Sequence, residues 1–198
     1  MALEPKPNRN ISQFKSKLIG GGARPNLFEV EFTTLPTNVV SNWDAEIFSF
    51  MCKAANLPAQ NIASIDIPFR GRIFKVAGDR TIENWTITVI NDEDFLFRNA
   101  FEEWTQQIAA LDDKMGSTNP ASYMVNAKVF QLGRGSSVAS TNNSGDANVV
   151  LKEYEFIDIF PVSVGSIDVS YDSSDTIEEY TVEFAVQSYR VKGAGTEG

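Results

Sequence analysis

Histidine is missing from all 198 residues. Ser-His-Asp and Cys-His nucleophile arrangements need an imidazole base, and the common zinc sites use imidazole ligands, so both are excluded. Cys52 is the single cysteine, which excludes an internal disulfide and fits folding in reducing cytoplasm. Lying between aromatic residues, it reads as a small core side chain. Basic residues are also scarce: 17 Lys and Arg stand against 26 Asp and Glu, for a net charge of −9. Phosphate clamps need clustered Lys and Arg, so a general nucleic-acid binder is excluded. No apolar run approaches the roughly 18–20 residues of a membrane helix. The start MALEPKPNRN has no apolar core after its charges, so neither a membrane anchor nor a secretory signal is expected. Gly20-Gly21-Gly22 runs into Ala23-Arg24-Pro25, not Gly-Lys-Ser/Thr, so it reads as a joint and not a phosphate loop. The carboxylate pairs Glu102-Glu103, Asp112-Asp113 and Glu178-Glu179 are sequence neighbours, which do not share a face of a helix or strand. They read as solvated charge. Asp172–Asp175 lacks calcium-loop spacing. No enzyme, cofactor or metal is expected.

What is present centres on Val76–Trp104. Thr81 to Ile90 reads as extended after a break at Gly78-Asp79, with Trp85, Ile87 and Val89 alternating against Thr86, Thr88 and Ile90. Asn91 or Asp92 caps a helix expected over 92–112, and Asp92, Glu93 and Asp94 suit the positive end of its dipole. Phe97, Phe101, Trp104, Ile108 and Leu111 form one apolar stripe along it. It is expected to be the only substantial helix, packed across a β core.

In chain order, residues 1–22 read as a basic arm, carrying Lys6, Arg9, Lys15 and Lys17 against Glu4. Leu27–Thr33 alternates Phe28, Val30 and Phe32 with Glu29, Glu31 and Thr33, a strand with one wet face. Pro36 to Asp44 is a loop. Glu46–Ala54 reads as a second strand, with Phe48, Phe50 and Cys52 on one face. Residues 56–76 read as a long protruding hairpin whose turn displays Arg70 and Arg72. Its Ile62, Ile65, Ile67, Phe69, Ile73 and Phe74 are too apolar for a hairpin left in water, so this surface covers or is covered by something. After a linker at Met115–Ser122, Tyr123–Leu132 is a strand. Gly133–Asn148 is a polar, low-complexity loop. Val149–Phe160 is a long strand ended by Pro161. Ser166–Tyr171 and Thr176–Tyr189 pair as a hairpin whose polar face carries Asp168, Asp172, Glu179 and Glu183. The domain is assigned to 23–190, with a tail at 191–198. The fold class is mainly β: an antiparallel sandwich or barrel with one flanking helix.

Four ordered blocks resemble the tail tube proteins of contractile-tailed, T4-like bacteriophages. They are ARPNLFEVEF (Ala23–Phe32), FMCKAANLPAQNI (Phe50–Ile62), VAGDRTIENWTITVINDED with the aromatic helix after it, and Lys152–Val186. The family usually has Trp-Pro where this chain has Phe160-Pro161, and the loop Gly133–Asn148 is longer than usual. The resemblance implies hexameric rings whose protomers join into a continuous β-barrel lining a lumen. It implies stacking into a tube inside a contractile sheath, with baseplate and tail terminator proteins as further partners. Double-stranded DNA would pass through without specific binding. The location implied is the virion tail, assembled in the host cytoplasm. Under that reading Glu29, Glu31, Asp168, Glu179 and Glu183 are lumen candidates. Ile62, Ile65, Ile67, Phe69, Arg70, Arg72, Ile73 and Phe74 are interface candidates, and the basic arm reaches a neighbour. The inner tube, or a tube-initiating protein, of a phage-like contractile injection system is an alternative. A monomeric β-barrel that binds a small ligand is a third reading, with the space-filling aromatic stripes against it.

Overall fold

The computed structural model describes residues 10–18, 22–36, 43–111, 116–134 and 148–193. Most of the expected loop Gly133–Asn148, much of the loop 36–44, part of the arm, Asp112-Asp113 and the end of the tail lie outside the described residues.

Six strands form one antiparallel sheet: β1 (Phe28–Phe32), β2 (Cys52–Ala55), β5 (Trp85–Ile90), β6 (Val125–Arg134), β7 (Asn148–Val164) and β8 (Glu179–Gly193). Their spatial order is β1-β6-β7-β8-β5-β2. The two edge strands approach each other, so the sheet is nearly closed. β3 (Gln60–Phe69) and β4 (Arg72–Ile82) form a separate two-stranded sheet. The helices are α1 (Ile11–Lys17), α2 (Ala45–Met51) and α3 (Leu96–Ile108).

One face of the large sheet is the core. Val30, Trp85, Ile87, Val89, Ala127, Phe156, Val182 and Phe184 point into it from five strands, as the period-2 pattern requires. α3 closes this face with Phe97, Ala100, Phe101 and Trp104, and Trp104 Nε1–H donates to the Tyr123 carbonyl at 2.8 Å. The packing is aromatic. The Phe32 ring lies within 6.3 Å, centroid to centroid, of Trp43, Phe48, Trp85, Phe101, Trp104 and Phe184, mostly edge-on or tilted as ring quadrupoles prefer.

The structure corrects several expectations. Glu46–Ala54 is not a strand but α2 followed by β2. Asp44 Oδ1 caps the helix, accepting from the N–H groups of Glu46 and Ile47 at 2.9 and 3.2 Å. Helical spacing buries Phe48 and Cys52, four residues apart, and leaves Phe50 76% exposed. The described residues therefore hold three α-helices where one substantial helix was expected, although among them α3 alone exceeds two turns.

α3 is also shorter than 92–112. Residues 92–95 form a turn, with Phe95 in the left-handed region at φ 54, and Asp92 Oδ1 accepts from Leu96 N–H at 3.1 Å. The acids 92–94 thus precede the helix. Leu111 lies beyond its end and is 83% exposed. Pro161 does not end the long strand, which runs to Val164 with a register shift after Pro161. β6 contributes its last pair at Val125↔Ile159, so that side of β7 needs no donor at Pro161. Ser166–Tyr171 is not a strand. The sequence 165–178 is a connection between β7 and β8, which themselves form the hairpin. Arg98 Nη1–H donates to the Gly165 carbonyl and Asn91 N–H to the Glu178 carbonyl, which fixes this connection at both ends. β8 reaches Gly193, past the expected boundary at 190.

Candidate assembly surfaces

The β3–β4 hairpin is longer than 56–76 suggested, since Gly78-Asp79 lies inside β4 and not at a break. The ladder shifts register between Ile62 and Ser64. A Cβ on Gly78 would come within 3.1 Å of the Ala63 carbonyl oxygen and 3.2 Å of Ile65 Cγ1, so close approach of β3 fixes glycine there. At the other end the chain reverses through Arg70-Gly71, with φ of 48 and 78. Two successive positive φ angles make the tight turn that matches strand twist.

Residues paired across an antiparallel ladder share a face. Ile65↔Val76, Ile67↔Phe74 and Phe69↔Arg72 therefore lie on one side, and Ser64↔Ala77, Asp66↔Lys75 and Pro68↔Ile73 on the other. Lys75 Nζ and Asp66 Oδ1 pair at 3.1 Å on the second side. The hairpin is thus amphipathic, yet every large apolar residue of its first face is more than a third exposed. Of the expected interface residues, the fold unites Ile65, Ile67, Phe69 and Phe74, with Arg72 beside them. It puts Ile73 on the opposite face, Arg70 in the turn, and Ile62 beyond the register shift. Val76 belongs to the apolar face and was missed, although its even spacing from Phe74 was legible.

The second surface is the sheet face opposite the core. Glu29, Glu31, Glu179 and Glu183 all lie on it, paired with Phe130, Lys128, Ile90 and Thr86. The fifth lumen candidate, Asp168, falls in the 165–178 connection and does not join them. The same face holds an ion-pair group that sequence reasoning missed. Lys128 and Lys192 meet Glu153 at 3.4 and 3.5 Å, and Lys192 meets Glu155 at 3.2 Å. These carboxylates hold the Lys192 ammonium above its ordinary pKa, chiefly through the Glu155 hydrogen bond. The signal was the alternation Glu153-Tyr154-Glu155-Phe156, the same pattern that flagged Glu29 and Glu31. Lys53 also reaches Glu179, and Asn84 Nδ2–H donates to Glu183 at 2.7 Å. The face is therefore acidic at β1 and charge-paired at β6–β8.

Reactive chemistry is sparse. Burial pushes the Cys52 thiol up to about 12, only partly offset by a backbone hydrogen bond at Ala54. Among the described residues, no cluster of three or more Cys, Asp or Glu is placed to hold a metal, and no helix is long and apolar enough to cross a membrane.

Comparison with known proteins agrees with this geometry. The family described as phage tail tube protein matches residues 23–192. The tail tube protein of Enterobacteria phage T4 is 36% identical over 167 residues, covering 84% of this chain and 90% of that protein. A tail tube protein of Serratia phage KSP90 is 23% identical, covering 87% and 92%. In fold, the chain is similar to a subunit in the baseplate of the anti-feeding prophage, at TM-score 0.59 and 14% identity, with 88% and 98% of the two chains covered. With the family match spanning most of its length, the chain belongs to the phage tail tube protein family.

Proposed function

We propose that the chain is the repeating subunit of a phage tail tube in which hexameric rings stack into a hollow conduit for double-stranded DNA inside a contractile sheath. The observation that carries the proposal is the amphipathic hairpin. Its apolar face of Ile65, Ile67, Phe69, Phe74 and Val76 is left uncovered by the protomer's own core. Each such side chain contributes about 1.5–3 kcal/mol when fully buried, before association costs are subtracted. A neighbouring copy, in the same ring or the next, supplies that cover. Joining the protomer sheets around a ring leaves no edge free. The polar outer face of the sheet then lines the lumen. Sheath, baseplate and tail terminator proteins are the partners such a tube needs, with assembly in the host cytoplasm. The role is structural, in keeping with the missing imidazole and the buried thiol.

The alternative reading, the inner tube or tube initiator of a phage-like contractile injection system, has only a likeness of fold behind it, that to a subunit in the baseplate of the anti-feeding prophage. At 14% identity that likeness reaches no further than the fold, whereas 36% identity ties the chain to a phage protein. Gel filtration with negative-stain microscopy tests the proposal. Rings or tubes of stacked rings support it, and a compact monomer at all concentrations overturns it.

A further inference from the structure

The hairpin and the 165–178 connection leave the large sheet at opposite ends of one strand pair. β5 runs from Trp85, paired with Phe184 of β8, to Ile90, paired with Glu179. β4 ends at Ile82, just before Trp85, and the connection ends at Glu178, just before Glu179. The hairpin therefore springs from one end of the pair, and the connection lies at the other. Both hairpin strands are exposed along almost their whole length, so the hairpin stands clear of the body. The ten residues of β3, at about 3.3 Å each, span roughly 30 Å.

The two ends carry opposite charge. At the hairpin tip Arg72 shares the apolar face with Phe69 and Phe74. Arg70 sits in the turn, its guanidinium 5.4 Å from the centre of the Phe69 ring. The connection exposes Asp168, Asp172 and Asp175 and contains no basic residue. None of these two arginines and three aspartates forms an ion pair among the described residues. Both ends are also apolar, since on the connection Val169 is 80% exposed, Ile177 72%, and Tyr171 fully so. Arg98 and Asn91 hold the connection near its two ends, so it is a surface formed in advance that loses little freedom when covered.

We propose that the hairpin tip of one copy docks on the 165–178 connection of a copy in the next ring. Arg70 and Arg72 are set against the three aspartates, and Phe69 and Phe74 against Val169 and Tyr171. The inference rests on the tube reading and names the surface that covers the hairpin. Strands lining a lumen cross a ring from rim to rim at a tilt of about 35–45°, so the two ends of β5 lie at opposite rims. A contact between two different surfaces of one chain repeats from copy to copy, as stacking requires.

Charge reversal tests it. Arg70→Asp with Arg72→Asp, and separately Asp172→Arg with Asp175→Arg, should each raise the concentration at which tubes form roughly tenfold or more. The effect should be smallest at high salt, because screening weakens the repulsion. Both variants should still give single rings and stay folded by circular dichroism, since all four side chains are exposed. A chain carrying all four substitutions should stack again near the native concentration. Stacking unaffected by either reversal overturns the docking, and so does the absence of recovery in the combined chain. Loss of the rings themselves also overturns it, because the contact would then lie within a ring. Val169→Ser with Tyr171→Ser changes no charge and should raise the same threshold, and an unchanged threshold counts against the docking equally. Failure of the unsubstituted protein to form rings or tubes under any condition defeats the tube reading itself, a different outcome from native tubes whose stacking ignores these residues.

Discussion

Ile67 and Phe74 face each other across the β3–β4 ladder, and both stay open to solvent, at 46% and 64% exposure. A cross-strand apolar pair normally earns its place by burial, and a two-stranded ribbon alone is marginally stable in water. The pair is therefore built for a cover the protomer lacks. Ile65→Asp with Ile67→Asp places two carboxylates on that face without touching the core of the large sheet. The protomer should keep its melting temperature within a few degrees, while sedimentation and microscopy should find no tubes. Tubes of ordinary length from this double variant would show that the hairpin face is not an interface.

The core makes the opposite prediction. Trp85 and Phe156 stack at 4.7 Å between centroids, with planes 21° apart, and both are fully buried. Truncating either removes transfer energy and leaves a cavity that rigid neighbouring rings cannot fill. Phe156→Ala should cost about 3–5 kcal/mol of protomer stability, read as a lower denaturation midpoint at unchanged slope. Assembly should then weaken because a larger fraction of the protomer is unfolded. The hairpin variant fails while folded, so circular dichroism separates the two.

Much of this was legible. The strand at Trp85–Ile90 and the one carrying Val30 and Phe32 have one buried face each, and period-2 alternation reports that directly. The hairpin was visible because six large apolar residues, Ile62, Ile65, Ile67, Phe69, Ile73 and Phe74, flank Arg70-Gly71. The misses share a cause: short segments satisfy two periods at once. Phe48, Phe50 and Cys52 fit a strand, but Phe48 and Cys52 also fit a helix, and only the Asp44 cap and the fit against Phe32 decide. Ser166–Tyr171 alternates like a strand yet finds no partner within the protomer, since β7 and β8 already pair with each other. Asp168 was misplaced for that reason. The outer-face group of Lys128, Glu153, Glu155 and Lys192 depends on register between three strands, which the sequence of any one of them does not contain.

Cys52 gives a chemical test of burial. Its thiol is raised to about 12 by desolvation, and the thiolate is the reactive species. Alkylation should therefore be very slow in the folded protein near neutral pH and become fast in denaturant. A folded-state pKa above the unfolded value stabilises below the unfolded pKa, near 9.0. That stability is lost as pH rises from there toward about 12. A Cys52→Ala variant should show less loss over that window than the native chain. Equal labelling rates in folded and unfolded protein would contradict this burial.

The lining of the conduit carries the last prediction. Duplex DNA bears one negative charge per roughly 1.7 Å of axis, and a basic wall would hold it through counterion release. A conduit must pass the polymer without giving it a site at which to stop. The outer face of the sheet suits this in two ways. At β1, Glu29 and Glu31 are exposed and form no ion pair among the described residues, so ring symmetry multiplies them into a repulsive band. At β6–β8, Lys128 and Lys192 are engaged by Glu153 and Glu155, so these two cations are not free to bind phosphate. Two substitutions therefore differ in effect. Glu29→Lys with Glu31→Lys reverses the band, while Glu153→Gln with Glu155→Gln frees lysines already in place. Both leave the core face untouched, so tubes should assemble. Genome delivery should slow in each, most at low salt, because screening weakens the added attraction. Wild-type delivery rates from virions whose tubes verifiably contain either pair would show that this face does not line the lumen.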